Sequence, residues 1–350
     1  MGNLKSKVLV AMSGGIDSSI ATSLLLEQGY ECSGVYMITN DNFQKALLYA
    51  EKVADKLSVN LQILDLREDF DKILDYFCNE YSRGRTPNPC VICNRLIKFG
   101  KLWDIARENG ANFLATGHYA RILKKNGDFC LYKGVDELKE QSYFLAMINR
   151  EMLSNILLPM GDYTKEKTRK LFKKFDLGCE HREESQEICF LPKNWESVLE
   201  ERHPELVRKG NIIDSSNSVL GQHQGTHRFT IGQRRGLGVA MGEPYYVKKI
   251  DADTNTVTLG PKEEVMHNSL VAKDLNWMAD KPQDSFHGVV QVRYNSRGKN
   301  ATIYPEKGYV KIDFAEKVLA ATPGQLAVCY NKDENGEKVV FGGWIDRIIE

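Results

Sequence analysis

The 350-residue sequence predicts an α/β unit built on a parallel sheet, followed by short strands that close into a small β-barrel or sandwich. Three observations carry this expectation. Apolar strand-like runs alternate with helical patterns over the first two-thirds of the chain, the βαβα order of a parallel sheet covered by helices. From about Leu270 onward, strand-like runs alternate with turns at short spacing, as in small barrels. The length suits two or three domains with cores large enough to need no disulfide staples.

The elements follow in order. "KVLVAM" (Lys7–Met12) reads as a buried strand and Asp17 to about Gln28 as a helix. "CSGVYMI" is the next strand, "FQKALLYAEKVADKL" has helical spacing, and "LQILDL" returns to strand. "DFDKILDYFCNEYSRG" is helical and stops at Gly84. A helix from about Asn94 to Asn109 leads to "FLATGHYA", read as another strand. "ARILKKNGDFCLYKG" is a hairpin turning at Asn126-Gly127. "TKEKTRKLFKKFD" is a basic amphipathic helix capped by Thr164. Gly-rich short strands fill about Glu200 to Gly260. The last hairpin is expected to turn at Asn335-Gly336.

Composition narrows the function. Apolar residues at 42% and charged residues at 27% are those of an ordinary globular protein. The formal net charge is zero, so any nucleic-acid surface must be a local basic patch. Eight cysteines without a preceding secretory signal point to a reduced, cytoplasmic setting. No apolar run approaches the roughly 20 residues of a membrane span, so no membrane partner is expected. "MGNLKS" matches an acylation pattern, but Lys7 leads straight into a strand, and chance is the better account.

Two stretches carry chemistry. In "VLVAMSGGIDSSIATSLL", Ser13, Gly14 and Gly15 turn between the first strand and the first helix. The glycines admit a phosphate, the helix N-terminus supplies N–H donors, and Ser18 and Ser19 add hydroxyls. The plain alternative is a tight turn with Asp17 as helix cap. In "TPNPCVICNRLIKFG" (Thr86–Gly100), Cys90 and Cys93 form a C-x-x-C. They fit metal ligands, a redox pair, a nucleophile with a helper, or buried thiols.

The full S-G-G-x-D-S-S string resembles the loop of enzymes that split ATP into AMP and pyrophosphate. With it come "LATGHYAR", "KEQSYFL", "LPMGDYTKE", "SQEICFLP", "FTIGQRRGLG", "VRYN" and "TPGQLAVCY", in one order along the chain. Together with "TPNPCVICNRLIKFG" they resemble the tRNA-specific 2-thiouridylases, a family of ATP pyrophosphatases, from the first strand to the final "GGWI".

The resemblance implies an adenine nucleotide α-hydrolase-like domain over residues 1–198, a central tRNA-binding domain over 199–265 and a C-terminal β-barrel over 266–350. It implies ATP with Mg²⁺, adenylation of O2 of uridine 34 in tRNAs for Lys, Glu and Gln, and sulfur delivered as a protein persulfide. ATP would contact Ala11, Met12, Ser13, Gly14, Gly15, Ile16, Asp17 and Ser18, with Met37 and Gly117 on the adenine side. Without the resemblance, Met37 reads as core packing.

The resemblance also makes Cys93 the first-cysteine nucleophile and Cys189 the persulfide carrier. Cys93 sits before an expected helix start, with Arg95 and Lys98 close in sequence, where a thiol pKa should fall. Cys90 stands where many relatives have Asp, which leaves its role open. Cys90, Cys93 and Cys189 are alternatively three corners of an iron–sulfur cluster, such as [4Fe-4S]. A structural zinc would want a fourth ligand that no second C-x-x-C or paired His supplies. Cys32, Cys78, Cys130, Cys179 and Cys329 read as structural thiols.

The residues implied at the tRNA are Asn88, Pro89, Cys90, His118, Lys139, Glu140, Gln141, Arg293, Tyr294 and Gln325. Glu140 replaces the Asp common in relatives. "RKLFKKF", "GQRRG" and "RYNSRGK" are candidate phosphate-contacting patches. A cysteine desulfurase or sulfur-relay protein is the implied donor. An amide-forming synthetase would leave Cys93 and Cys189 unexplained, and a non-catalytic tRNA-binding protein would not need the intact loop.

Overall fold

The computed structural model describes residues 5–177, 188–189, 191, 195–240 and 242–349. The acylation pattern at the N-terminus and Cys179 lie outside the described residues.

Five strands form the first sheet: β1 (Lys7–Ala11), β2 (Glu31–Ile38), β3 (Leu61–Asp65), β4 (Phe113–Ala115) and a later strand, Ile156–Leu157. All pairings are parallel, in the order β3-β2-β1-β4 with Ile156–Leu157 at the edge. Between them run α1 (Ile16–Glu27), α2 (Gln44–Leu57), α3 (Arg67–Ser82), α4 (Pro89–Cys93) and α5 (Leu102–Glu108). The strand order reverses direction at β1 and β4, and in such sheets the crevice at the carboxyl ends of those two strands takes the ligand. Alternation along β1 explains why it is buried on both faces. Val8 and Val10 join a core with α1, and Leu9 joins a second core with α3 to α5.

Three local expectations need correction. The helix expected from Asn94 starts at Pro89, because proline suits the first helical position, where no N–H bond is needed. Residues Asn94–Lys101 continue it as a π-helical segment, whose wider turns bring the carbonyl of Arg95 to 3.0 Å from where a Cβ on Gly100 would sit. "FLATGHYA" is a strand only to Ala115, and Thr116–Tyr119 is a loop. The last hairpin pairs Asp333 with Gly336, so its turn is Glu334-Asn335, one residue early.

The hairpin β5 (Ala120–Lys125) and β6 (Asp128–Lys133) turns at Asn126-Gly127 as expected, both residues with positive φ. It belongs to another sheet, however. Six antiparallel strands between Met266 and Ile349 close on themselves, and β6 joins the last of them at Tyr132–Lys338. A short helix, α6 (Ser142–Leu145), then leads to α7 (Lys165–Lys174), where the Thr164 hydroxyl caps the N–H of Lys167. After α8 (Trp195–Arg202), four strands between Gly210 and Gly260 make a small central sheet.

Candidate active site

At the end of β1 the chain turns through Ser13, Gly14 (φ +67°) and an extended Gly15 into α1. The loop is held by hydroxyls. Ser18 Oγ accepts the Ser13 N–H at 3.2 Å and donates to the Gly15 carbonyl at 3.1 Å. Ser19 Oγ donates to the same carbonyl at 2.8 Å. No side chain caps α1, so its first N–H donors face outward unclaimed by a cap. Met12 is buried, and Gly34 of β2 makes room for it, since a Cβ there would lie 2.5 Å from the Met12 sulfur. Ala11 and Met37 are half-buried at the carboxyl ends of β1 and β2. Ile16 packs onto the α1 core. Gly117 presses on the loop from β4: a Cβ on it would meet Ser18 N at 2.9 Å.

Asp17 is fixed from two sides. Lys165 at the start of α7 donates to both carboxylate oxygens, at 2.6 and 2.8 Å, and the Tyr119 hydroxyl donates at 2.7 Å. Tyr119 is also bonded to Thr168 at 3.0 Å. Burial, then the Asp17 charge, raises the Tyr119 pKa, so the phenol stays a donor. The sequence reading missed Lys165 and Tyr119, although both lie in quoted motifs, "LPMGDYTKE" and "LATGHYAR".

Cys90, Cys93 and Cys189 lie near enough to one another to interact electrostatically. Cys90 is half-buried in the first turn of α4, and Cys93, one turn on, is 2% exposed. Cys189 is exposed, while Ile188 and Leu191 on either side pack into the core. Burial pushes the Cys90 thiol up to about 11, helped by Cys189 and opposed by Lys98. Burial pushes Cys93 up to about 12, with Lys98 opposing. The expected depression at a helix start is thus corrected: Cys93 sits inside a continuous helix, under the core. His118 is buried, and burial followed by the Lys98 charge holds its pKa well below the usual imidazole range. Its Nδ1 lies 2.7 Å from Thr116 Oγ1.

The seven described cysteines are free thiols. Among the described residues no three His, Cys, Asp or Glu side chains are drawn together closely enough to hold a metal. Cys78, Cys130 and Cys329 are buried and Cys32 is half-buried.

The barrel completes the site. Gln325 Nε2 donates to the carbonyls of Thr86 (3.2 Å) and Pro87 (2.9 Å), and its Oε1 accepts from Asn88 at 3.4 Å. Asn88 is the residue before Pro89 and occupies the N-cap position of α4 without a side-chain capping bond. Gly324 (φ +92°) is needed here, because a Cβ would lie 2.6 Å from the Thr86 carbonyl. Arg293 is mostly buried. It donates to the Ile231 carbonyl of the central unit (2.6 Å) and to Thr322 Oγ1, and its Nε is buried without a partner among the described residues.

Tyr294 lies against Phe144, ring centroids 4.4 Å apart, and near enough to Cys90 to feel its charge. Phe144 was not singled out in the sequence, although it sits in "KEQSYFL". Lys139 and Gln141 are half-buried, and Gln141 Oε1 accepts the Tyr119 N–H at 3.0 Å. Glu140 lies inside the protein, its carboxylate accepting the Ser142 N–H, and burial raises its pKa. Exposed cations line α7 (Arg169, Lys170, Lys173, Lys174) and the central loop (Arg234, Arg235).

A nucleotide-type loop at a sheet switch point, followed along the chain by the C-x-x-C helix α4, marks a nucleotide-dependent enzyme of the PP-loop kind. Residues 6–193 match the family described as the tRNA methyl transferase HUP domain, 196–261 the tRNA methyl transferase PRC-barrel domain, and 267–345 the aminomethyltransferase beta-barrel domain. The chain is 44% identical over 362 residues to the tRNA-specific 2-thiouridylase MnmA of Carboxydothermus hydrogenoformans, covering 98% of both chains. It is 41% identical over 361 residues to that of Clostridium perfringens, covering 99% of both. The chain belongs to the tRNA-specific 2-thiouridylase MnmA family. Among solved structures, the U34-tRNA thiolase NcsA from Methanococcus maripaludis with its [4Fe-4S] cluster matches 58% of this chain and 67% of its own, at 16% identity and a TM-score of 0.36. At that level the likeness bears on neither ligand nor mechanism.

Proposed function

We propose that this enzyme carries out ATP-dependent 2-thiolation of uridine 34 in tRNAs for Lys, Glu and Gln, with a Cys189 persulfide as the sulfur source. The observation that carries this reading is a pair of neighbours. Gly117 presses on the Ser18 N–H of the phosphate loop, and His118 lies near Lys98, which in turn interacts with Cys93, Cys189 and Cys90. Two adjacent residues therefore link the phosphate loop to the neighbourhood of Lys98. We read residues 1–198 as the catalytic unit, 199–265 as the central tRNA-binding unit and 266–350 as the barrel.

The uncapped α1 and the cradle between Gly14 and Gly117 suit ATP phosphates, with Ala11 to Ser18 around them and Met37 and Gly117 beside adenine. Asp17 is the loop carboxylate available to a phosphate-bound Mg²⁺. ATP supplies the adenylyl group that turns uridine O2 into a leaving group. Asn88, Pro89, Cys90, His118, Lys139, Gln141, Arg293, Tyr294 and Gln325 would surround or support the target nucleotide. Glu140, being internal, would act by shaping α6. The base leaves a single-stranded loop, which costs less than extrusion from a duplex.

The steps balance as follows. Uridine O2 attacks the α-phosphorus, pyrophosphate leaves, and the N3 proton is released. The outer persulfide sulfur on Cys189 attacks C2, and AMP departs with the oxygen. The Cys93 thiolate attacks Cys189 Sγ, and the electron pair of the broken S–S bond stays on the sulfur bound to C2. N3 regains a proton. The transferred sulfur gains two electrons, and Cys93 and Cys189 lose two as a disulfide. A dithiol reductant reopens it, and a desulfurase or relay protein reloads Cys189. Cys90 is an accessory in this scheme.

The test adds ATP, unmodified tRNA and a persulfide donor to the purified enzyme. Pyrophosphate release with 2-thiouridine in the digested tRNA is the expected result, and Cys189→Ser should abolish the thionucleoside. Thiolation retained in Cys189→Ser sinks the persulfide scheme. Activity that depends on bound iron and sulfide would replace it with the cluster.

A further inference from the structure

Lys98 is a half-buried lysine beside the C-x-x-C segment. It lies in the π-helical segment five residues beyond Cys93, about one π turn, so both face the same side of the helix. Arg95, the other cation near Cys93 in sequence, is exposed. Lys101, three residues on, is paired with Asp69 at 2.5 Å, and Lys165 is paired with Asp17 at 2.6 Å. Lys98 makes no hydrogen bond or ion pair among the described residues. Among the described residues its titratable neighbours are Cys93, Cys189, Cys90 and the neutral His118, none of them a carboxylate. Burial works against its charge, and ionised sulfur at Cys93, Cys189 or Cys90 favours it.

A half-buried ammonium without an anion is costly, and it is retained where an anion arrives. Sulfur transfer creates two sulfur anions in turn, the Cys189 persulfide and the Cys93 thiolate.

We propose that Lys98 is the positioning residue of the sulfur-transfer half-reaction, holding the persulfide anion on Cys189 and then the thiolate of Cys93 as the disulfide forms. Lys98 loses and gains no electrons and no proton in these steps. It lowers the cost of each sulfur anion, and it belongs to sulfur transfer and not to adenylation. This rests on the reading under Proposed function.

The experiment uses the whole enzyme loaded with persulfide, ATP and unmodified tRNA in a single turnover, with pyrophosphate and 2-thiouridine followed separately. If wild type yields no 2-thiouridine, the proposed function itself fails. If wild type works, Lys98→Gln should release pyrophosphate within about 2-fold of wild type while 2-thiouridine forms about 30- to 300-fold more slowly, the range expected for removing a charge beside a half-buried anion. Lys98→Arg, which keeps the charge, should recover most of that loss. Alkylation of Cys93 and Cys189 by iodoacetamide at fixed pH should slow about 10-fold or more in Lys98→Gln. A thermal melt confirms that each variant is folded, and the alkylation needs no turnover. Pyrophosphate release that falls together with thiolation overturns the proposal, because Lys98 would then serve the ATP phosphates. So does an Arg variant no better than Gln, or unchanged alkylation and thiolation.

Discussion

Replacing Gly117 with alanine tests how closely the phosphate loop is built. Gly117 is not in the left-handed region, so alanine meets no backbone penalty there. The cost comes from contact alone. The new Cβ would lie 2.9 Å from Ser18 N, 3.0 Å from the Asp17 carbonyl carbon and 3.2 Å from the Asp17 Cβ. Two of these three atoms are backbone at the first turn of α1, so no side-chain rotation relieves them. A shift of roughly 0.5–1 Å is needed, and such overpacking costs about 1–3 kcal/mol. If the loop yields, Ser18 N–H moves off the phosphate position and ATP affinity falls about 5- to 150-fold. If the Thr116–Tyr119 segment yields instead, the melting temperature falls by roughly 2–4 °C per kcal/mol. Titration calorimetry with ATP and a thermal melt read the two limits separately. A Gly117→Ala protein that binds ATP within 2-fold of wild type and melts with it refutes the contact argument.

Three further outcomes follow from the same geometry. Asp17→Asn leaves the buried Lys165 without its carboxylate, whereas Lys165→Met leaves a more exposed Asp17. The first should therefore cost about 1–3 kcal/mol more than the second, and equal melting temperatures would count against the pairing. Burial raises the Cys93 thiol to about 12, so its alkylation in a protein lacking Cys90 and Cys189 should rise about tenfold per pH unit from 7 to 9. A flat profile would show an already ionised thiol. The same shift means that the folded state holds a proton that the unfolded state releases above its ordinary value near 9.0, so this group's contribution to stability is present below pH 9 and is lost toward pH 12. Arg293→Gln removes donors to Ile231 and Thr322, so it should weaken tRNA binding and lower the melting temperature without changing ATP affinity. Equal loss of ATP and tRNA binding would contradict that separation.

Local order was legible where the sequence carried a period or a special residue. The strand–helix alternation, the Asn126-Gly127 turn and the Thr164 cap follow from neighbours in sequence. The start of α4 was misread because two prolines look like loop. In fact Pro89 is the residue that a helix accepts first. That shift moved Cys93 from a solvent-facing helix end into the core and reversed the direction of its pKa. Arg293 looked like a base-facing cation, and its burial between Ile231 and Thr322 depends on the docking of two units, which no local pattern encodes.

The same limit explains why α4 could not be placed from its own segment. Asn88 precedes Pro89, and its side chain bonds to Gln325, more than two hundred residues away. Gln325 also holds the carbonyls of Thr86 and Pro87, and the Thr86 N–H bonds to Pro323. Thr322, in the same barrel loop, receives Arg293, which in turn holds the central unit at Ile231. One short barrel loop therefore ties the position of Cys90 and Cys93 to the seating of the central unit. Gly232 (φ +81°) and Gly324 lie on the two sides of this tie, each where a Cβ would collide, with Ala320 Cβ at 2.4 Å and with the Thr86 carbonyl at 2.6 Å. Local propensity explains these glycines poorly. They are required because the barrel approaches the segment before α4 on one side and the central unit on the other too closely for a side chain.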